Sequence, residues 1–253
     1  MGTLVARVVL ALLALPTGAC GRYARTSRAL SVCGASSLTS VLTAISRLWE
    51  HEGRPAVGLR FDASSRLARQ LEAGARCDVF VSADTAWVEH LRGRRLLTPG
   101  PARVLARNGL VVVVSVGSPW APASLRELAE RPEGRVALAG ESVPLGRYSE
   151  QALARAGLSE RLRARGVRGD TARTTLGWVA RGDAVAGIVY ATDAQSEPSV
   201  RVALRIAADQ HEPIVYPAVV TAGARDIVLA QQFVSYCASD AVRTLWSREG
   251  FLR

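Results

Sequence analysis

Twice within its first third the chain passes from a short apolar run through small residues into a serine pair that opens a helical pattern, and this unit restricts the fold more than any other feature. In residues 61–84, FDASSRLARQLEAGARCDVFVSAD, Ser64 and Ser65 stand where a helix N-cap is wanted. Leu67, Ala68 and Leu71 give the apolar face, Gly74 supplies the C-terminal stop, and residues 79–81 form a short buried strand. Earlier, residues 30–33 read as a strand, Gly34 and Ala35 are small, and Ser36 and Ser37 lead into a helix. That helix is amphipathic, with Leu38, Val41, Leu42, Ile45, Leu48 and Trp49 at helical spacing. A helix start with free N–H groups and about half a positive charge is an anion cradle; simple capping is the other role open to such serines. In an open α/β sheet, ligands bind beyond the carboxyl ends of the strands, where two such starts would converge.

The alternation continues down the chain. Residues 106–116 read as one long apolar strand, 135–139 as a strand, and Val143-Pro144-Leu145-Gly146 as a loop before a helix around Tyr148, Ala152 and Leu153. Residues 161–168 read as a basic linker, Thr171 opens a helix, and 187–190 is a strand running into Ala191, Thr192 and Asp193. Strands at 200–206 and 214–221 precede a last pair of helical segments within 225–247, with Phe233, Leu245 and Trp246 as core candidates. This order argues for an α/β fold with largely parallel sheets. The apolar strands near 110–114 and 216–220 bracket the middle of the chain. If both are crossovers, the two ends build one lobe and the middle another, with a cleft between them; periodicity leaves a single domain open as the alternative.

A net charge of +10 invites a nucleic-acid reading, but the chain has no lysine, its arginines are scattered, and it lacks zinc spacing or an aromatic-interleaved basic stripe. Residues 1–20 have the form of an export signal, with Arg7, an apolar core at 8–15 and small Thr17, Gly18 and Ala19. Two processing routes are open: cleavage after Ala19, or lipid acylation at Cys20, where Thr17 replaces the more usual Leu. Cys33, Cys77 and Cys237 are expected as small buried thiols, with a Cys33–Cys77 disulfide as the alternative in an oxidising compartment. His51, His90 and His211 are expected near the surface and form no metal or triad spacing.

The runs ASSLTSVL from Ala35, SSRLARQLEAGARCDVFVSAD from Ser64, NGLVVVV from Asn108, VPLGRYSEQAL from Val143, AGIVYATDA from Ala186 and the closing REGF around Gly250 carry a resemblance. Together and in order, they resemble the substrate-binding proteins of molybdate ABC transporters. The resemblance implies a two-lobed periplasmic-binding fold of type II, each lobe a mixed sheet flanked by helices. Residues 1–20 would be the signal, 28–108 with 217–253 lobe I, and 109–216 lobe II. It further implies a periplasmic or extracytoplasmic monomer that closes on molybdate or tungstate and hands it to a membrane permease. Such a protein uses no cofactor, binds no nucleic acid and reaches the metal only through its oxygens.

In that family the oxyanion is held by neutral donors. Carried over residue by residue, these are the hydroxyls of Ser37 and Ser64, the backbone N–H groups of Leu145 and Ala172, and the hydroxyl of Tyr190. Leu145 stands where the family commonly has Ala, and Ala172 where it often has Val, so the size of the cavity is an open point. Asp193 is expected as a local cap or hinge contact, because a carboxylate facing a dianion would repel it. Arg161, Arg163, Arg165 and Arg168 are expected as a solvated basic face. Sulfate, of equal charge and smaller volume, is the alternative ligand. An enzyme on the same fold would need a nucleophile or an acid/base pair; the cleft loops offer serines and Tyr190 but no nearby His or paired carboxylate.

Overall fold

The computed structural model describes residues 29–131 and 133–252, so the export-signal reading and Cys20 lie outside the described residues. Two five-stranded mixed sheets, each flanked by helices, make two lobes. The sheet of lobe I contains β1 (Leu30–Ala35), β2 (Val57–Asp62), β3 (Val79–Val81), β4 (Arg103–Asn108) and β10 (Ile214–Val220), in the order β2-β1-β3-β10-β4. The sheet of lobe II contains β5 (Leu110–Ser115), β6 (Val136–Ala139), β7 (Gly166–Gly169), β8 (Ala186–Tyr190) and β9 (Val200–Arg205), in the order β7-β6-β8-β5-β9. The helices are α1 (Thr39–His51), α2 (Ser64–Glu72), α3 (Thr85–Gly93), α4 (Leu125–Glu130), α5 (Pro144–Arg155), α6 (Ser159–Arg163), α7 (Ala172–Ala180), α8 (Ala191–Ser196), α9 (Ile227–Cys237) and α10 (Arg243–Arg248). In each sheet two strand pairs are parallel and two antiparallel, so the sheets are mixed rather than largely parallel.

Both faces of each sheet are covered, which explains strands that are apolar at every position. Val32, Val79 and Val81 of lobe I join the large core that also holds Val112 and Val114 of lobe II. Their neighbours on the opposite face, Cys33 and Phe80, pack against Leu67, Leu71, Val88 and Leu91 of α2 and α3. In lobe II, Val111 and Val113 turn to the far face and meet Leu176 and Val179 of α7. The alternation is the strand period of two, with both sets buried.

Four local expectations are corrected. Residues 106–116 are two strands in different sheets: β4 ends at Asn108 paired with β10, and β5 begins at Leu110 between β8 and β9. An apolar run reports burial and carries no information about its pairing partner. Gly109 turns the corner, its N–H bonded at 2.9 Å to Asn108 Oδ1. The basic linker is α6 followed by β7, whose arginines find local partners: Arg161 meets Glu130 at 3.4 Å and Arg163 meets Glu160 at 3.1 Å. The Val-Pro-Leu-Gly loop is the first turn of α5, with Pro144 at a position where its missing N–H costs nothing. His211 is buried, its ring packed against Tyr148 with centroids 6.1 Å apart.

The expectation of buried thiols holds at Cys237 and is overturned at Cys33 and Cys77, where the disulfide alternative forms. Cys33 and Cys77 form a disulfide with Cα atoms 6.1 Å apart, because β1 and β3 are neighbours and Cys77 leads directly into β3. Closing a loop of 44 residues stabilises the fold by about 4 kcal/mol in the chain-entropy description. Cys237 is a free, buried thiol.

Candidate functional site

Six strands of the two sheets deliver their following residues to one place. Ala35, Ser36 and Ser37 follow β1, Ala63 and Ser64 follow β2, and Ala83 follows β3; from lobe II come Val143, Pro144 and Leu145 after β6, Ala172 after β7, and Tyr190 at the end of β8. They line one small pocket, and no charged side chain is among them. All five residues carried over from the sequence, Ser37, Ser64, Leu145, Ala172 and Tyr190, meet at this one pocket.

The serines are not caps, contrary to the simpler of their two readings. Ala35 and Ala63 occupy the N-cap positions, and neither has a side chain that can fill the free N–H groups of the first turn. Ser64 instead accepts a hydrogen bond from the Ala83 N–H at 3.0 Å, which leaves its own proton available to the pocket. Ser37 Oγ lies 3.4 Å from the Tyr216 hydroxyl, the long limit of a hydrogen bond. α5 begins at Val143, also without a side-chain cap, so the Leu145 N–H has no helical acceptor. α7 is capped by Thr171, whose Oγ1 accepts from the Thr174 N–H at 3.0 Å, and the Ala172 N–H stands ahead of that bond.

Tyr190 is the most informative side chain. Its hydroxyl is buried and, among the described residues, has no hydrogen-bond partner, although buried tyrosine hydroxyls ordinarily find one. Burial holds its pKa well above the usual phenol range, so it stays a proton donor at any physiological pH. Behind it, Tyr216 makes an edge contact with centroids 6.1 Å apart and accepts from Asn108 Nδ2 at 2.9 Å. Asn108 Nδ2 also reaches Thr192 Oγ1 at 2.9 Å, which ties β4, β10 and the start of α8 together beneath the pocket. Tyr216 and Asn108 escaped sequence reasoning because Tyr216 lies within β10 and Asn108 is the last residue of β4, where an aromatic or amide reads as ordinary strand content. A larger surface hollow lined by Thr98, Arg103, Gln231 and Ser235 receives no unpartnered buried polar atom, and it carries no functional argument.

Asp193 lies in the first turn of α8, buried, with Oδ2 lacking a partner among the described residues. Burial raises its pKa to about 7 against the opposing pull of Arg173. The sign follows. Between pH 4 and 7 the unfolded chain has lost this proton while the folded chain keeps it, so this group's stabilisation is full below pH 4 and is lost as pH rises through 7. Asp193→Asn is expected to remove that slope from a profile of melting temperature between pH 4 and 8 and to melt higher than the parent at pH 8, by at most roughly 4 kcal/mol of stability. An unchanged slope would show that Asp193 is solvated and charged throughout.

A cleft between two mixed-sheet lobes, ending in a small neutral pocket made of helix starts, defines a two-lobed binding protein of the periplasmic type. The chain belongs to the bacterial extracellular solute-binding protein family, whose profile matches residues 30–252. It is 31% identical over 230 residues to the molybdate-binding protein ModA of Haemophilus influenzae, covering 89% of this chain and 90% of that one. Its fold matches the periplasmic molybdate-binding protein of Azotobacter vinelandii with a TM-score of 0.79 at 23% identity, over 88% of this chain and 99% of that one. It also matches the sulfate-binding protein SubI of Mycobacterium tuberculosis at 0.71 and 15% identity, over 88% and 86% of the two chains. The fold alone therefore does not choose the anion.

Proposed function

We propose that this protein captures a tetrahedral oxyanion, molybdate or tungstate, outside the cytoplasm and delivers it to an ABC permease. The unpartnered, buried Tyr190 hydroxyl in a pocket of free helix starts carries the reading, since a buried donor without an acceptor is a cost that an oxyanion would remove. Ser37, Ser64, Leu145 and Ala172 supply the remaining donors, two from each lobe, and Tyr190 makes a third from lobe II. Oriented N–H and O–H groups at helix starts stabilise a dianion in a dry pocket without a counter-charge in contact. The metal is reached only through its oxygens.

The pocket is small and lined by helix starts and uncharged side chains, which suits a bare inorganic anion. The function is binding without chemistry: the wall offers hydroxyls and N–H groups, with no base beside either serine. The expected boundary at 216/217 falls inside β10, so the moving units are the lobe built on β1–β4 and β10 and the lobe built on β5–β9, and the protein works as a monomer. The Cys33–Cys77 disulfide supports an oxidising, extracytoplasmic compartment, in keeping with export directed by residues 1–20 and with Cys20 as an acylation site.

A thermal-shift series tests the reading. A ligand bound only by the folded state at a hundred times its Kd adds about 2.7 kcal/mol, which for a chain of this size raises Tm by roughly 5 to 10 °C. Molybdate or tungstate is expected to give such a shift, with sulfate and phosphate far behind. Equal shifts for sulfate and molybdate would defeat the assignment of specificity, and no shift with any oxyanion would defeat the function.

A further inference from the structure

Resting on the oxyanion reading of the pocket, we infer that Arg147 and Arg173 form a two-point clasp that holds the lobes closed and sets how long the anion stays. Both arginines belong to lobe II and both follow a donor closely in sequence. Arg147 lies two residues after Leu145 in the first turns of α5, and Arg173 directly follows Ala172 in α7.

Each grips lobe I beside another donor. Arg147 Nη1 meets Asp84 Oδ2 at 3.0 Å, and Asp84 directly follows the pocket residue Ala83. On the other flank, Arg173 Nε donates to the Ser36 carbonyl at 3.3 Å and Nη2 to Ser40 Oγ at 3.4 Å, on either side of Ser37. The movement that brings four helix starts onto one anion thus also brings two guanidinium groups onto their acceptors. Ligand contact and closure are one event, and differential binding of the closed state drives it.

The Arg147–Asp84 point differs in kind from the exposed contacts across the cleft. The Arg66–Asp170 pair, 3.2 Å apart, is exposed on both sides, and such pairs contribute little. Asp84 by contrast has a side chain only 2% exposed, and its second oxygen is already engaged in capping α3 through the Trp87 N–H at 3.0 Å. With Arg147 removed, the closed state would hold a carboxylate with an uncompensated charge, so opening would be favoured. Trp87 lies at the same flank and donates from Nε1 to the Ser142 carbonyl of lobe II at 3.0 Å, which makes its fluorescence a built-in reporter of closure.

The test uses the full chain and molybdate as the probe, with Kd by calorimetry, dissociation followed by Trp87 fluorescence after dilution, and radius of gyration by small-angle scattering. Arg147→Ala and Arg173→Ala are each expected to speed dissociation by roughly 10- to 100-fold while association changes by less than about threefold. Arg147→Lys should recover part of the loss, and Asp84→Asn, which keeps the α3 cap but removes the buried charge, should speed dissociation less than Arg147→Ala does. Arg66→Ala should leave both rates within about twofold of the parent. Unchanged dissociation in the Arg147 and Arg173 variants of a protein that binds molybdate would overturn the clasp and leave the pocket reading intact. If the parent binds no oxyanion, the pocket reading fails first. The clasp is then judged by scattering alone, and a radius of gyration equal in the parent and the Arg147→Ala/Arg173→Ala variant overturns it.

Discussion

Gly146→Ala is expected to abolish high-affinity oxyanion binding and to lower the melting temperature. A Cβ at this position would lie 2.0 Å from the Gly140 carbonyl oxygen and 2.7 Å from that of Ala139. Both are backbone atoms at the end of β6, so no side chain can move aside, and α5 must shift off the strand. Overpacking of this kind costs about 1 to 3 kcal/mol, or roughly 2 to 12 °C in a chain of this size. The larger consequence is at the pocket. Leu145 and Arg147 flank Gly146, and a donor moved by about an ångström loses the geometry a small site depends on, so affinity should fall on the order of 100-fold. Calorimetry with molybdate and a thermal melt check both parts; a variant matching the parent in each would mean that the close approach of α5 to β6 is not maintained in solution.

The second large effect separates hydroxyl donors from structural groups. Hydrogen bonds to a charged group contribute about 1.5 to 3 kcal/mol, so Tyr190→Phe, Ser64→Ala and Ser37→Ala should each weaken oxyanion binding by about one to two decades. Their effects on the unliganded protein should differ. Tyr190→Phe removes an atom with no hydrogen-bond partner among the described residues, so the ligand-free melting temperature should hold or rise. Ser64→Ala strips the buried Ala83 N–H of its acceptor and should cost about 1 to 3 kcal/mol before any ligand is added. Ser37→Ala gives up only the 3.4 Å contact with Tyr216, which keeps its bond from Asn108, so it should fall between the two. If Tyr190→Phe bound molybdate as tightly as the parent, the pocket would not hold the anion through this hydroxyl, and the central observation behind the proposed function would lose its meaning.

Most of the strand and helix order and the apolar faces were determined by the sequence alone, because these depend on local periodicity and on Ser, Pro and Gly acting over a few residues; α6 and β7, read as a linker, were not. Residues 135–139 and 187–190 read as strands and lie within one residue of β6 and β8. Ser37, Ser64, Leu145, Ala172 and Tyr190, the residues that the resemblance implies, come from five separate segments and line one pocket. Tertiary structure decided what depends on partners distant in the chain. The run at 106–116 changes sheets at Gly109, since its apolar content is equal on both sides and only the neighbours, β10 on one side and β8 and β9 on the other, differ. Cys33 and Cys77 became a disulfide through the pairing of β1 with β3 across 44 residues. The serines were freed from capping because Ala35 and Ala63 took the cap positions, a shift of one or two residues that propensity cannot resolve. Sequence reading singled out neither Arg147 nor Arg173, and only the closing of one lobe on the other, which brings residues more than sixty positions apart within hydrogen-bond reach, gives them partners in Asp84 and Ser36.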